Sequence, residues 1–351
     1  MTTSSNGENQ VCWSAPSNIA LVKYWGKRDI QIPQNPSISF TLSHSKTKTL
    51  LSWKKKESID DLFLFDFYFE GEKKESFNGK IQNFFERLVT YDESFEFLKE
   101  YSLKIESENS FPHSTGIASS ASSMSALALC LLSMRQKIKG ADLDEDRFFQ
   151  MASNVARIGS GSAARSLYPG VVSWGECISS TNEFAAPVSD VESVFSDFCD
   201  AILIVSSEKK SVSSTVGHDL MNGHPFAEVR FKHAIENVQK LQEALREGDL
   251  NSFIEIVETE ALELHGLMMN SSPSFILMRP NTLRIINLIR EFREEENLPI
   301  CFTLDAGPNV HLLYPKKITN RVKKFIESSI LPFCENNKVI YDHLGQGPER
   351  L

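Results

Sequence analysis

Residues 111–123 read FPHSTGIASSASS and run straight into MSALALCLLSM, so small hydroxyl side chains crowd around Gly116 just ahead of an apolar segment of helical length. If a helix starts at Ser119-Ser120-Ala121, its unpaired N–H groups and positive dipole end suit an anion. A polyphosphate is the natural guest, and the serine hydroxyls add donors or metal-bridging oxygens. The same residue types also serve as ordinary N-caps. The loop is not a Walker A motif, since G-x-x-x-x-G-K-[ST] occurs nowhere in the chain. A second glycine-serine run, ARIGSGSAARSLYPG at 156–170, fits G-x-G-x-x-A but follows a helix-like segment rather than a strand, which argues against a dinucleotide-binding turn. No G-x-S-x-G elbow is present, which argues against a serine hydrolase.

The elements that must position these residues are legible in the hydrophobic period. Strands are expected around 18–25, at ISFTLS (38–43), where apolar and hydroxyl residues alternate as in a half-buried strand, and at DLFLFDFYFE. In the last of these, Phe63, Phe65, Phe67 and Phe69 share one face, and Asp66, Tyr68 and Glu70 the other. Helical spacing covers 80–99, LKIES reads as a strand leading into the hydroxyl-rich loop, and a helix near 144–157 follows the apolar one. GSGSAARSLYPG reads as loop and VVSWGEC as strand. A polar stretch near 180–192 sets the expected domain boundary, giving residues 1–190 and 191–351. Beyond it come AILIV, amphipathic helices at about 226–247, 251–269 and 281–296, the strands ICFTL and HLLY, a helix at 317–329 and KVIYD.

Composition bounds the function. A chain of 351 residues exceeds the usual span of one core, so two are expected. A net charge of -9 argues against a nucleic acid partner, and runs such as Lys54-Lys55-Lys56 read as solvated loop. The six cysteines lack any C-x-x-C pair, which fits neither a zinc site nor a disulfide framework. MTTSSNGENQ has no signal-peptide pattern and no apolar run approaches a bilayer span, so no membrane association and a cytoplasmic location are expected.

The run from Pro112 to Ala121, P-x-x-x-G-[LI]-x-S-S-A, resembles the phosphate loop of the GHMP kinase superfamily. SAPSNIALVKYWGKRD at 14–29, IPQNPSISFTLS after it, ARIGSGSAARSLYPG, VSSTVG at 212–217 and TLDAGPNV at 303–310 are similar, in order, to segments of diphosphomevalonate decarboxylases. The resemblance spans residues 14 to 310. It implies an α+β chain with an N-terminal ribosomal S5-like domain, a C-terminal ferredoxin-like domain and an active site in the cleft between them. It also implies a homodimer, ATP as co-substrate and Mg²⁺ carried in with it near Ser119 or Ser120. The implied reaction phosphorylates the 3-hydroxyl of 5-diphosphomevalonate, then expels phosphate and CO2 to leave isopentenyl diphosphate.

On that resemblance Asp305 is the base for the 3-hydroxyl, at an apolar strand end where desolvation can tune it. Arg165 holds the departing carboxylate with its planar fork. Asn18 and Lys23 stand near the reacting hydroxyl. Tyr24, Lys27, Ser160 and Ser162 contact the substrate, and Gly116, Ser119 and Ser120 the ATP phosphates. One position departs from the pattern: Asp66 stands where relatives often carry an arginine that helps neutralise the diphosphate. This keeps open a monophosphate substrate, or compensation by Lys73 or Lys74. Further alternatives are a mevalonate 3-kinase and a catalytically silent nucleotide-binding homologue.

Overall fold

The computed structural model describes residues 9–58, 60, 62–111, 119–140, 143–176, 181–208, 212 and 214–351. Residues 112–118, which contain Gly116 and His113, lie outside the described residues, so the fold bears on the hydroxyl-rich loop only from Ser119 onward.

The first half is built on an eight-stranded sheet whose main path runs Glu349–Arg350, Gln10–Val22, Ser37–Lys55, Tyr101–Asn109, Leu64–Phe69, Glu72–Lys73. Val171–Trp174 pairs with the start of Ser37–Lys55 and with Ala186–Pro187. All pairings are antiparallel except that of Leu64–Phe69 with Tyr101–Asn109. The phenylalanine face of that edge strand packs as its alternation predicts: Phe63 and Phe65 contact Phe85, and Phe67 and Phe69 contact Phe77. The apolar helix, Ser119–Lys139, is buried all round from Ser125 to Met134, the signature of a central helix. The helix Glu145–Gly159 packs beside it, starting at an Asp144 cap that accepts the Arg147 N–H.

The second half carries a four-stranded antiparallel sheet in spatial order Cys301–Leu304, Val310–Pro315, Phe198–Leu203, Val339–His343. Helices Ala227–Glu247, Leu250–Met269 and Pro280–Glu296 connect its first two strands in sequence, and a helical segment over 316–333 precedes the last. This is a β-α-β-β-α-β order with the first strand central, the ferredoxin-like arrangement.

Length alone predicts two cores, and a third cluster joins them. Ile19, Leu21, Ile38 and Phe40 from the first sheet pack with Phe198, Ile202, Val238 and Phe253 from the second half. Phe40 stacks on Phe253 with ring centroids 5.8 Å apart. Buried Asp342 clasps the same junction by accepting the backbone N–H groups of Ser43, His44 and Ser45 at 2.7–2.9 Å. The last strand, Glu349–Arg350, returns to pair with Trp13 and Ser14. Among the described residues no helix is long and apolar enough to cross a membrane.

Three local expectations change. The first strand runs Gln10–Val22 rather than 18–25, because it pairs along nearly its whole length with the long Ser37–Lys55 strand and leaves the sheet at Lys23. GSGSAARSLYPG is not simple loop: Gly161–Leu167 forms a 3₁₀ turn, nearly all of it buried. ISFTLS is not half-buried either, since Ser39 and Thr41, like Ser37 just before the segment, are as fully buried as their apolar neighbours.

Candidate active site

The Gln10–Val22 strand ends in a stretch without regular structure, Lys23–Gly26, which threads between the two halves. Lys23 is only 2% exposed, and its ammonium donates to the Ala20 carbonyl at 2.6 Å and meets Asp305 Oδ1 at 3.4 Å. Burial pulls the Lys23 pKa down, and Asp305 opposes that shift. Asp305 follows the Cys301–Leu304 strand; its side chain is 25% exposed, which leaves one side open to a ligand. Its carbonyl contacts His265 Nε2 at 3.1 Å and accepts the Gly307 N–H at 2.6 Å, so the turn is pinned from its backbone.

Arg165 lies in the buried 3₁₀ turn and is 2% exposed. Its Nε donates to Ser39 Oγ at 3.1 Å, Nη1 to Ser37 Oγ at 2.5 Å and Nη2 to Asn18 Oδ1 at 3.4 Å, and the guanidinium lies 5.8 Å from the Trp174 ring centroid. Every one of these partners is neutral. Among the described residues no carboxylate stands within ion-pair distance, and burial pulls the Arg165 pKa down to about 10, with Asp305 opposing from further away. It is still protonated at neutral pH and is short of an anion. Asn18 is oriented by donating to Ser166 Oγ at 2.7 Å and to the Ser162 carbonyl at 3.1 Å.

Sequence reasoning missed Ser37 and Ser39, because hydroxyls that alternate with apolar residues read as the wet face of a strand. The signal present in the sequence is a serine-threonine face carrying no charge from 37 to 43.

The serine-rich elements converge. Ser160 Oγ lies 3.5 Å from Ser120 Oγ, at the start of the central helix, and 3.4 Å from Ser162 Oγ. Three hydroxyls from two segments 40 residues apart therefore face one point at a helix N-terminus, a hard-oxygen donor set suited to phosphate and to Mg²⁺. The serines that follow Ser120 are spent within the fold: Ser122 bonds Thr47 Oγ1 at 2.6 Å, Ser123 donates to the Ser119 carbonyl and Ser125 to those of Ala121 and Ala163. Ser119 is partly buried at the first position of the helix.

Tyr24 is 8% exposed, and its hydroxyl is buried with no hydrogen-bond partner among the described residues. Gly161 makes room for it: a Cβ there would lie 2.6 Å from Tyr24 Oη. His218, which sequence reasoning also missed, sits against both Tyr24 and Trp25 at 4.3 and 4.6 Å and accepts the Gly26 N–H on Nδ1 at 3.0 Å. Burial, with Lys27 and Arg165 nearby, pulls its pKa down to about 3, so it is neutral. Lys27 approaches Asp219 at 3.7 Å.

Asp66 is the departure from the family pattern. It is 53% exposed on the strand face opposite the packed phenylalanines and pairs with Lys73 at 2.6 Å.

An S5-like sheet joined to a ferredoxin-like unit, with a hydroxyl-lined helix start and an acid-lysine pair at the junction, defines a GHMP-kinase-type protein. Two family models cover most of the chain, "Diphosphomevalonate decarboxylase-like N-terminal domain" over residues 15–185 and "Mevalonate 5-diphosphate decarboxylase C-terminal domain" over 201–349. The diphosphomevalonate decarboxylase of Schizosaccharomyces pombe is 33% identical over 321 residues, 86% of this chain and 77% of that protein. That of Saccharomyces cerevisiae is 32% identical, over 89% and 80%. Among solved structures, mevalonate diphosphate decarboxylase from Staphylococcus aureus aligns with a TM-score of 0.82 at 29% identity, covering 98% of each chain. MDDEF in complex with MVAPP, AMPPCP and magnesium aligns at 0.83 and 27%, over 98% of this chain and 99% of that one. The chain belongs to the diphosphomevalonate decarboxylase family.

Proposed function

We propose that the protein carries out ATP-dependent decarboxylation of 5-diphosphomevalonate to isopentenyl diphosphate, ADP, phosphate and CO2. The observation that carries this reading is the buried Arg165 guanidinium, surrounded by neutral acceptors and facing the junction where Lys23 meets Asp305. A dry cation that lacks a carboxylate partner and lies close enough to Lys23 and Asp305 to feel their charge is suited to an anion that arrives with the substrate.

In this reading Asp305 takes the proton of the 3-hydroxyl as its oxygen attacks the γ-phosphorus of ATP and ADP leaves. Lys23 holds the Asp305 carboxylate in place and offsets charge on the transferring group. The tertiary C–O bond then breaks, phosphate leaves with its electron pair, and the electrons of the C–C bond to the carboxylate form the new double bond as CO2 departs. Arg165 holds that carboxylate in line, and Asn18, near the reacting hydroxyl, accepts from the guanidinium and orients it. Tyr24 and Lys27 bind the substrate's phosphates, and Ser160 and Ser162 its diphosphate and carboxylate; the Tyr24 hydroxyl, without a partner among the described residues, is a ready donor. Gly116, Ser119 and Ser120 take the ATP phosphates. Ser119 or Ser120 would hold the Mg²⁺ carried with ATP, which would supply neutralisation of the phosphate charge there. The division at about residue 190, a homodimer and a cytoplasmic location belong to the same reading; a monomeric mass on sedimentation would overturn the dimer.

Phosphate and CO2 release with Mg-ATP, compared for mevalonate, 5-phosphomevalonate and 5-diphosphomevalonate, tests the assignment. Turnover with the diphosphate alone is expected, and preference for the monophosphate or silence with all three would overturn it. Asp66 pairs with Lys73 on an exposed sheet face, so the comparison of monophosphate with diphosphate also reports on the charge at that position.

A further inference from the structure

Lys23 follows the last ladder residue of its strand, so no sheet hydrogen bond fixes its backbone. Side chains do so instead. Its N–H donates to Glu260 Oε2 at 2.9 Å, and its carbonyl accepts from Arg230 Nη2 at 3.1 Å and Asn35 Nδ2 at 2.8 Å. Arg230 and Glu260 are themselves a bidentate pair at 2.6 and 2.7 Å, with side chains 2% and 0% exposed. Asn237 supplies a further donor to Glu260 at 2.7 Å. A buried ion pair of this kind contributes little net stability compared with apolar residues of the same volume, so stability alone does not account for it. What it does is grip both backbone polar groups of one residue.

The same helix, Leu250–Met269, grips the other partner. His265, five residues beyond Glu260, contacts the Asp305 carbonyl at 3.1 Å. One rigid element from the second half thus fixes the backbones of both Lys23 and Asp305, which come from different halves of the chain. We infer that Glu260, locked by Arg230, is a positioning residue that sets the Lys23–Asp305 geometry for the proton and phosphoryl transfer. The inference rests on the roles given to Lys23 and Asp305 above.

The experiment compares the wild-type protein with Glu260→Gln and with the double variant Arg230→Met/Glu260→Leu, which removes both charges and so avoids a lone buried ion. Two readouts are taken on each. In hydrogen exchange, the peptide covering residues 20–26 is expected to exchange at least ~10-fold faster in both variants, because the Lys23 amide loses its acceptor or its alignment. In kinetics, kcat is expected to fall by about 10–100-fold while the KM values for ATP and substrate stay within about threefold, as for a misplacement of the reacting groups. Unchanged exchange at 20–26 overturns the inference whatever the activity. A folded double variant with wild-type kcat, measured beside an active wild type, overturns it too. If the wild type itself shows no turnover, the functional reading fails, while the exchange readout still decides whether the pair holds Lys23.

Discussion

Two arginines in this protein are equally buried and chemically opposite. Arg230 is wrapped by carboxylates, Glu260 on both guanidinium arms and Glu263 at 2.9 Å, and they raise its pKa even though burial acts to lower it. Arg165 is wrapped by Ser37, Ser39 and Asn18, and burial prevails and lowers its pKa. The first cation is complete within the fold and works as a fixture. The second is incomplete, and the missing anion is the one a ligand would bring. Burial therefore does not by itself separate a structural charge from a functional one, and Arg157, fully buried on carbonyl and amide oxygens, shows that neutral partners alone do not either.

The largest test of this contrast lies at its centre. Asp305→Asn should lower kcat by about 10²–10⁴-fold while nucleotide titration shows nearly unchanged binding. A variant retaining most of its rate would remove the base from the mechanism and leave Arg165 facing nothing reactive.

The two arginines should then separate in opposite directions. Arg165→Gln should slow CO2 release by about 10²–10³-fold with stability within about 1 kcal/mol of wild type, since no buried carboxylate is left behind. Arg230→Gln should lose about 3–5 kcal/mol in urea unfolding, because Glu260 would be left buried and uncompensated. Equal stability losses in the two would show that Ser37, Ser39 and Asn18 depend on Arg165 as heavily as Glu260 depends on Arg230.

The smallest effect concerns His218, held neutral beside Lys27 and Arg165. Its folded pKa of about 3 lies below the ordinary value of 6.5, so the unfolded chain binds a proton that the native state refuses. Its contribution is therefore complete above pH 6.5 and is lost as pH falls from there towards 3, by about 1.4 kcal/mol per pH unit. Unfolding measured from pH 7 to 5 should show this slope, and His218→Gln should flatten it. An unchanged slope would mean that His218 is protonated in place, and that the pocket tolerates a further cation next to Arg165.

Much of the architecture was legible in local pattern. The phenylalanine stripe from 63 to 69 gave a strand face, and the apolar run after Ser123 gave a helix buried all round. The three long helices of the second half came out within a residue or two of their observed limits. Local pattern misjudged ISFTLS, since alternation cannot tell a wet hydroxyl face from one buried against an arginine. It also read Gly161–Leu167 as loop, because small residues in a buried 3₁₀ turn carry no hydrophobic period.

The sequence by itself determined the element order, the family motifs and the residue types able to do the chemistry, because period and motif act over a few residues along the chain. The tertiary structure decided which of those residues meet. Lys23 and Asp305 are 282 positions apart, and the helix that grips both backbones belongs to neither segment. Likewise, nothing near Arg165 or Arg230 in the chain shows that one is given hydroxyls and the other carboxylates. That is fixed when strands and helices from both halves close around a shared core, since partner charge at a buried site is a property of three-dimensional packing rather than of chain neighbours.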